Sequence, residues 1–255
     1  MATINNAKFN GLVMFQRNHR ENDLLVKFLT REYGKRMFFI RNAKKANFQL
    51  HSAILPFTFG TYSGLIRDNG LSYINAALEI KQFENIFQDI SLNAYATFIM
   101  NLVDAAFDDN FVIPKWFDIA KQSLALIDAG NDAQVVSDLM QIQLLPSFGL
   151  NFNWNKCAVC QRQDVPMDFS DKYNGMLCQN HWLLDTHRWH LTAKTVKILA
   201  ILSQISPFQV GNISISNHTK QEIWHLLEVI YQDQVGINLK SRNFIDQMEK
   251  WNLKR

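Results

Sequence analysis

The sequence predicts an α+β protein in which a small β-barrel leads and a helical body follows. Three observations predict it. Five short apolar runs fill about the first eighty residues, the apolar period lengthens from two towards 3.6 after Glu79, and all three cysteines fall in one 25-residue window ending at His181.

The strand runs come first. Phe9 to Phe15, Asp23 to Thr30 and Lys35 to Arg41 are rich in Leu, Val, Ile and Phe. The second and third are separated by Arg31-Glu-Tyr-Gly34, a hairpin-length turn with a glycine for positive φ. Ile54 to Tyr62 and Leu71 to Leu78 continue the pattern across Arg67-Asp-Asn-Gly70, whose Asn-Gly favours a turn. Five such strands fit a closed barrel, with Pro56 placed at an edge or bulge because it has no N–H to donate. Most of Phe15, Phe28, Phe38, Phe39, Phe57 and Phe59 are expected to fill that barrel.

Helices follow. From Glu84 to Phe107 apolar residues recur at three- and four-residue steps, which predicts one long amphipathic helix. Pro114 opens the next, with Gly130 past its end, and Gln134 to Leu145 forms a third, stopped by Pro146. Periodicity resumes at Ala193 to Ile205 and again after Thr219-Lys-Gln-Glu222, which has capping-box spacing. The domain reading is residues 1–80 as the barrel and 81–255 as the helical domain, with a metal module inserted at about 152–187.

That module reads Cys157-x2-Cys160-x17-Cys178-x2-His181. Each x2 spacing lets one tight turn aim two ligands at one ion, so three thiolates and an imidazole would close a tetrahedral, structural zinc sphere. Buried apolar thiols are the simpler reading, and their clustering argues against it. A redox pair would need a helix start after a strand, whereas Cys160 is followed by polar residues and Pro166. His187 and His190 are alternatives to His181 as fourth ligand.

Charge is unevenly spread. Residues 1–80 carry 11 Lys/Arg against 5 Asp/Glu, a balance of +6, and the remainder carries 15 against 18, or −3. Arg17, Arg20, Lys27, Arg31, Lys35, Arg36, Arg41, Lys44 and Lys45 form a basic stretch suited to a polyanion, or else a solvated face. P-loop, Gly-x-Ser-x-Gly and HExxH motifs are absent, which removes the familiar ATPase, serine-hydrolase and zinc-protease readings. The opening residues lack a signal-peptide run, and Ile90 to Val103 is too short and polar to span a bilayer, so a cytoplasmic protein is expected.

Order and motifs together resemble the bacterial RecO family of recombination mediators, of the RecFOR repair pathway. The resemblance rests on Gly11-Leu-Val-Met-Phe15, Arg20 through Lys35, Ala43-Lys-Lys45, Leu55-Pro-Phe-Thr58, the cysteine cluster and Leu239-Lys-Ser-Arg-Asn-Phe244. It implies an N-terminal OB-fold, a helical C-terminal domain and a zinc module, in a nucleoid-associated DNA repair protein. It also implies binding of single- and double-stranded DNA, annealing of complementary strands, and partnership with RecR and the C-terminal tail of single-stranded DNA-binding protein in loading RecA. Such a tail would enter an apolar groove in the helical domain, for which Arg188 and Lys194 are candidate cations, although a solvated side chain on a helix is the simpler reading of each. The family's last zinc position is usually cysteine and is His181 here. Since some members lack the site, its role is structural. Two rivals remain: a zinc-dependent nucleic-acid-modifying enzyme, disfavoured because four good ligands are already present and leave no open position for a reactive water, and a structural adaptor that binds no DNA.

Overall fold

A computed structural model describes residues 3–211 and 215–252. It is an α+β chain that forms two compact units: residues 3–130 together with 240–252, and the intervening segment up to 239. The helices following the barrel thus divide between the units.

The first unit opens with five antiparallel strands: β1 (Thr3–His19), β2 (Asp23–Thr30), β3 (Gly34–Ile40), β4 (Phe59–Arg67) and β5 (Tyr73–Lys81). Their order is β3-β2-β1-β4-β5, and a parallel bridge between Phe38 and Ser72 closes the sheet, giving a Greek-key barrel of the OB type. The β2–β3 turn uses Gly34 at φ +70°, where a Cβ would sit 2.0 Å from the Phe111 carbonyl oxygen. No side chain fits there.

Alternation along the strands decides which residues fill the barrel. Phe9, Phe28, Phe38 and Tyr62 turn inward and pack ring on ring, with Phe9 stacked 5.4 Å from Phe38 and 5.8 Å from Tyr62. Phe15, Phe39 and Phe59 are half-buried and do not belong to this core, so fewer of the phenylalanines fill the barrel than their strand positions suggest. The expected strand at Ile54 to Tyr62 begins only at Phe59. Ahead of it a short 3₁₀ turn (Ser52–Ile54) and Leu55 to Thr58 form a connection in which Phe57 takes φ +65°, so Pro56 sits in a loop, not on a sheet edge.

The predicted long helix is two: α1 (Glu84–Gln88) and α2 (Ile90–Ala106). Asp89 separates them, extended at ψ +120° and accepting from the Ser91 and Leu92 amides as an N-cap. Pro114 opens α3 (Pro114–Asp128) as expected. Helix α7 (Lys240–Asn252) packs on α2, where Tyr95 donates to Glu249 at 2.8 Å and Asn101 to Ser241 at 2.9 Å.

In the second unit α4 (Ala133–Leu144) is buried almost throughout and forms the centre. Around it lie α5 (Ala193–Gln204), α6 (Asn217–Val229) and the hairpin of β6 (Met167–Ser170) and β7 (Gly175–Cys178). Helix α6 starts earlier than the capping-box spacing suggests, capped by Ser216, which accepts from the Thr219 amide. Glu222 instead reaches across to α5, where it accepts from Thr192 N at 3.2 Å, from Thr192 Oγ1 at 2.9 Å and from the Thr195 hydroxyl.

Candidate metal centre and nucleic-acid interface

The four candidate ligands are placed by two chain reversals. In the first, Cys157 donates its amide to Arg162 O at 2.9 Å while Gln161, at φ +62°, returns its amide to Cys157 O at 2.9 Å. In the second, β7 delivers Cys178, and the 3₁₀ turn that follows (Gln179–Leu184) carries His181 back beside it. A bridge between Cys157 and Met176 ties the two reversals together.

The ligand atoms of Cys157, Cys160, Cys178 and His181 all lie within 4.8 Å of one another. Cys160 Sγ is 3.6 Å from Cys178 Sγ, and His181 Nδ1 is 3.1 Å from Cys178 Sγ and 3.6 Å from Cys157 Sγ. A tetrahedral sphere with metal–sulfur bonds of about 2.3 Å separates its sulfurs by about 3.8 Å, so the donor set fits one ion. His187 and His190 stand outside this group, their backbone amides bound to Asp185 and Asp168.

The local field favours a thiolate at Cys157. Burial pushes the Cys157 thiol up, but the amides of Cys160, Cys178 and Val159 and the Cys178 side chain outweigh it and bring it down to about 6. Cys178 moves the other way, raised by burial and by the neighbouring sulfurs. A cation at the centre of the four ligands would relieve this crowding of like groups.

The nine basic residues separate into two sets. Lys27 is 6% exposed and Lys35 2%, and both are held by carboxylates. Lys27 Nζ lies 2.6 Å from Asp109 Oδ1 and 3.4 Å from Asp104 Oδ1, while Lys35 Nζ lies 2.8 Å and 3.3 Å from the same two atoms of Asp104 and Asp109. Arg36, 7% exposed, donates to Tyr33 O at 2.8 Å and Arg67 O at 2.7 Å, and burial pulls its pKa down. Arg31 is exposed but paired with Asp118 at 3.0 Å. Burial corrects the expectation for Lys27, Lys35 and Arg36 as phosphate ligands, and Arg31 is already engaged.

Arg17, Arg20, Arg41, Lys44 and Lys45 are exposed. Arg20 lies in the β1–β2 turn at φ +53°, and Arg41 follows β3. The two segments are stitched together by Asn42 N to Asp23 Oδ1 at 2.8 Å and Lys44 N to Asn22 O at 3.1 Å. Four of the five cations therefore gather at one end of the barrel, with Arg17 three residues inward along β1. Sequence spacing hid this grouping, because the link runs through backbone contacts between separate loops.

In the second unit, Arg188 lines a cavity of about 530 Å³ with Trp154, Trp182, Met167 and Val196. Its guanidinium lies 4.7 Å from the Trp182 ring centre and its Nε 3.1 Å from Asp168 Oδ2. Lys194 is exposed and not part of the lining. Among the described residues, no helix is long and apolar enough to cross a membrane.

Fold and site together define a class: an OB-type barrel in one chain with a helical unit that carries a cysteine-rich group able to hold a metal ion. Residues 1–83 match the family described as Recombination protein O N terminal, and residues 87–243 match Recombination protein O C terminal. DNA repair protein RecO of Pediococcus pentosaceus is 66% identical over 253 residues, 99% of this chain and 100% of the relative. The proteins of that name from Lactiplantibacillus plantarum and Enterococcus faecalis are 46% and 40% identical, over 95% and 94% of this chain and 94% and 92% of their own lengths. The chain belongs to the RecO family of DNA repair proteins.

Proposed function

We propose that this chain is a non-enzymatic mediator of DNA repair that binds single- and double-stranded DNA, anneals complementary strands and helps place RecA on gaps coated with single-stranded DNA-binding protein. The observation that carries this reading is the group of exposed cations Arg20, Arg41, Lys44 and Lys45 at one end of the barrel, with Arg17 beside it. Residues 1–80 act as the nucleic-acid module, and residues 81–255 provide partner surfaces braced by the module at 152–187.

Annealing follows from electrostatics. Two phosphate strands repel, and a basic end that holds one strand while admitting a second lowers that repulsion without covalent chemistry. The Cys157/Cys160/Cys178/His181 group would hold zinc, and its four protein ligands would leave no open position for water. Zinc bound there would supply folding energy to the hairpin, which argues against the nucleic-acid-modifying enzyme.

Partners are RecR and the C-terminal tail of single-stranded DNA-binding protein. The cavity lined by Trp154, Trp182 and Arg188 offers such a tail an apolar floor and a cation for a terminal carboxylate. Work at DNA places the protein in the cytoplasm, on the nucleoid. The deciding experiment is annealing of complementary strands coated with single-stranded DNA-binding protein. Acceleration by this chain is expected, and annealing no faster than the coated strands alone overturns the reading.

A further inference from the structure

The pleat that sends Phe38 into the barrel core sends Phe39 outward. Register places Arg17, Leu25 and Phe39 in one row across β1, β2 and β3. Closure of the barrel then continues the row, because Phe39 N donates to Ser72 O at 2.9 Å and so brings Tyr73 alongside. Three half-buried rings result: His19 is edge-on to Phe39 at 5.7 Å, and Phe39 is edge-on to Tyr73 at 6.0 Å.

Cations border this ridge. The Arg67 guanidinium lies 5.2 Å from the Tyr73 ring centre, Arg17 sits 4.8 Å from the Phe15 ring, and Arg41 follows Phe39 by two residues. Asp23, the carboxylate opposite His19, is occupied by the Asn42 amide. A water-facing sheet that presents flat rings between arginines has what unpaired nucleotides need: π-faces for the bases and charge for the phosphates. A duplex offers such rings only base edges and backbone.

We infer that the His19–Phe39–Tyr73 ridge is a stacking platform for the bases of single-stranded nucleic acid, with Arg17, Arg41 and Arg67 taking the flanking phosphates. This rests on the DNA-binding reading above and deepens it, because it commits this face to unpaired bases and makes ring stacking, not charge, the source of a preference for single strands. The buried lysines Lys27 and Lys35 take no part.

The test is fluorescence anisotropy with labelled oligo-dT and a duplex of equal length, on the full chain and its F39A, F39L, F39W, Y73A and K44A/K45A variants. F39L keeps bulk without a flat ring, so it separates stacking from folding. F39A, F39L and Y73A are each expected to weaken oligo-dT binding about 5- to 150-fold. They should leave the salt slope and duplex affinity within about twofold of the parent, and F39W should retain binding. Parental binding of oligo-dT with no loss in F39L and Y73A overturns the platform but leaves the broader reading standing. Equal losses on oligo-dT and duplex also overturn it. If the parent binds neither probe, and K44A/K45A changes nothing, the DNA-binding reading falls and the platform with it.

Discussion

Lys35 and Asp104 form a nearly enclosed contact: the ammonium lies 2.8 Å from Asp104 Oδ1 and 2.5 Å from the Asp104 backbone oxygen, with the lysine side chain 2% exposed. Lys27 and Asp109 complete a charge-balanced quartet that joins β2 and β3 to the end of α2 and the segment after it. Removing one lysine leaves two carboxylates sharing the other, an uncompensated negative charge that is costlier than never having had the pair. Lys35→Met should lower stability by about 3 kcal/mol, the low end for a broken buried pair because both carboxylates reach solvent. DNA affinity per folded molecule should be unchanged. Urea unfolding followed by titration below the transition checks both, and a variant of parental stability would show the quartet to be dispensable.

The acid limb of stability should carry the signature of Asp109. Burial pushes this carboxyl up, but hydrogen bonds and charge from Lys27 and Lys35 prevail and hold it below its ordinary 3.8. A depressed folded pKa gives stabilisation that is fully present above the unfolded value and lost as pH falls through the folded one. The parent should therefore lose stability below about pH 4 more steeply than Asp109→Asn, with parallel curves above about pH 5. Thermal melts across that range read the difference.

Six exposed cations of the barrel set the salt dependence. If Arg17, Arg20, Arg41, Lys44, Lys45 and Arg67 each meet a phosphate, the log-log slope on single strands should be about −4, and K44A/K45A should bring it to about −3. Base preference should not move, since these side chains meet only the backbone. An unaltered slope in the double variant would place the phosphates elsewhere on the molecule.

The metal group predicts one bound ion per chain and a cooperative loss. Cobalt substitution should give the thiolate charge-transfer bands of a tetrahedral sulfur-rich site, and Cys178→Ser should abolish binding. Because Trp154 stacks 5.4 Å from Phe169, chelation should alter near-ultraviolet dichroism as the hairpin loosens. Unchanged aromatic dichroism after complete metal removal would mean that the hairpin holds without the ion.

The clustering of Cys157, Cys160, Cys178 and His181 was legible in the sequence because both of its pairs are local: two-residue spacings produce tight reversals wherever they occur. The β2–β3 hairpin was legible for the same reason, with Gly34 marking the turn. What could not be read was set at a distance. The partners of Lys35 and Lys27 lie 69 and 82 residues away, so nothing nearby distinguishes these buried lysines from the exposed Lys44 and Lys45. Phe57 at positive φ and the break at Asp89 are held by surrounding structure or a single cap, against the local pattern of apolar residues.

Helix α7 packs on α2, yet in the chain it comes after the whole second unit. During synthesis the segment from Asn131 to Leu239 is therefore complete and free to fold before the polypeptide can supply the helix that covers α2. Until then the side of α2 that carries Tyr95 and Asn101 awaits a partner more than a hundred residues downstream, so a ribosome that stalls late leaves the barrel's own unit, and not the cysteine-bearing one, unfinished.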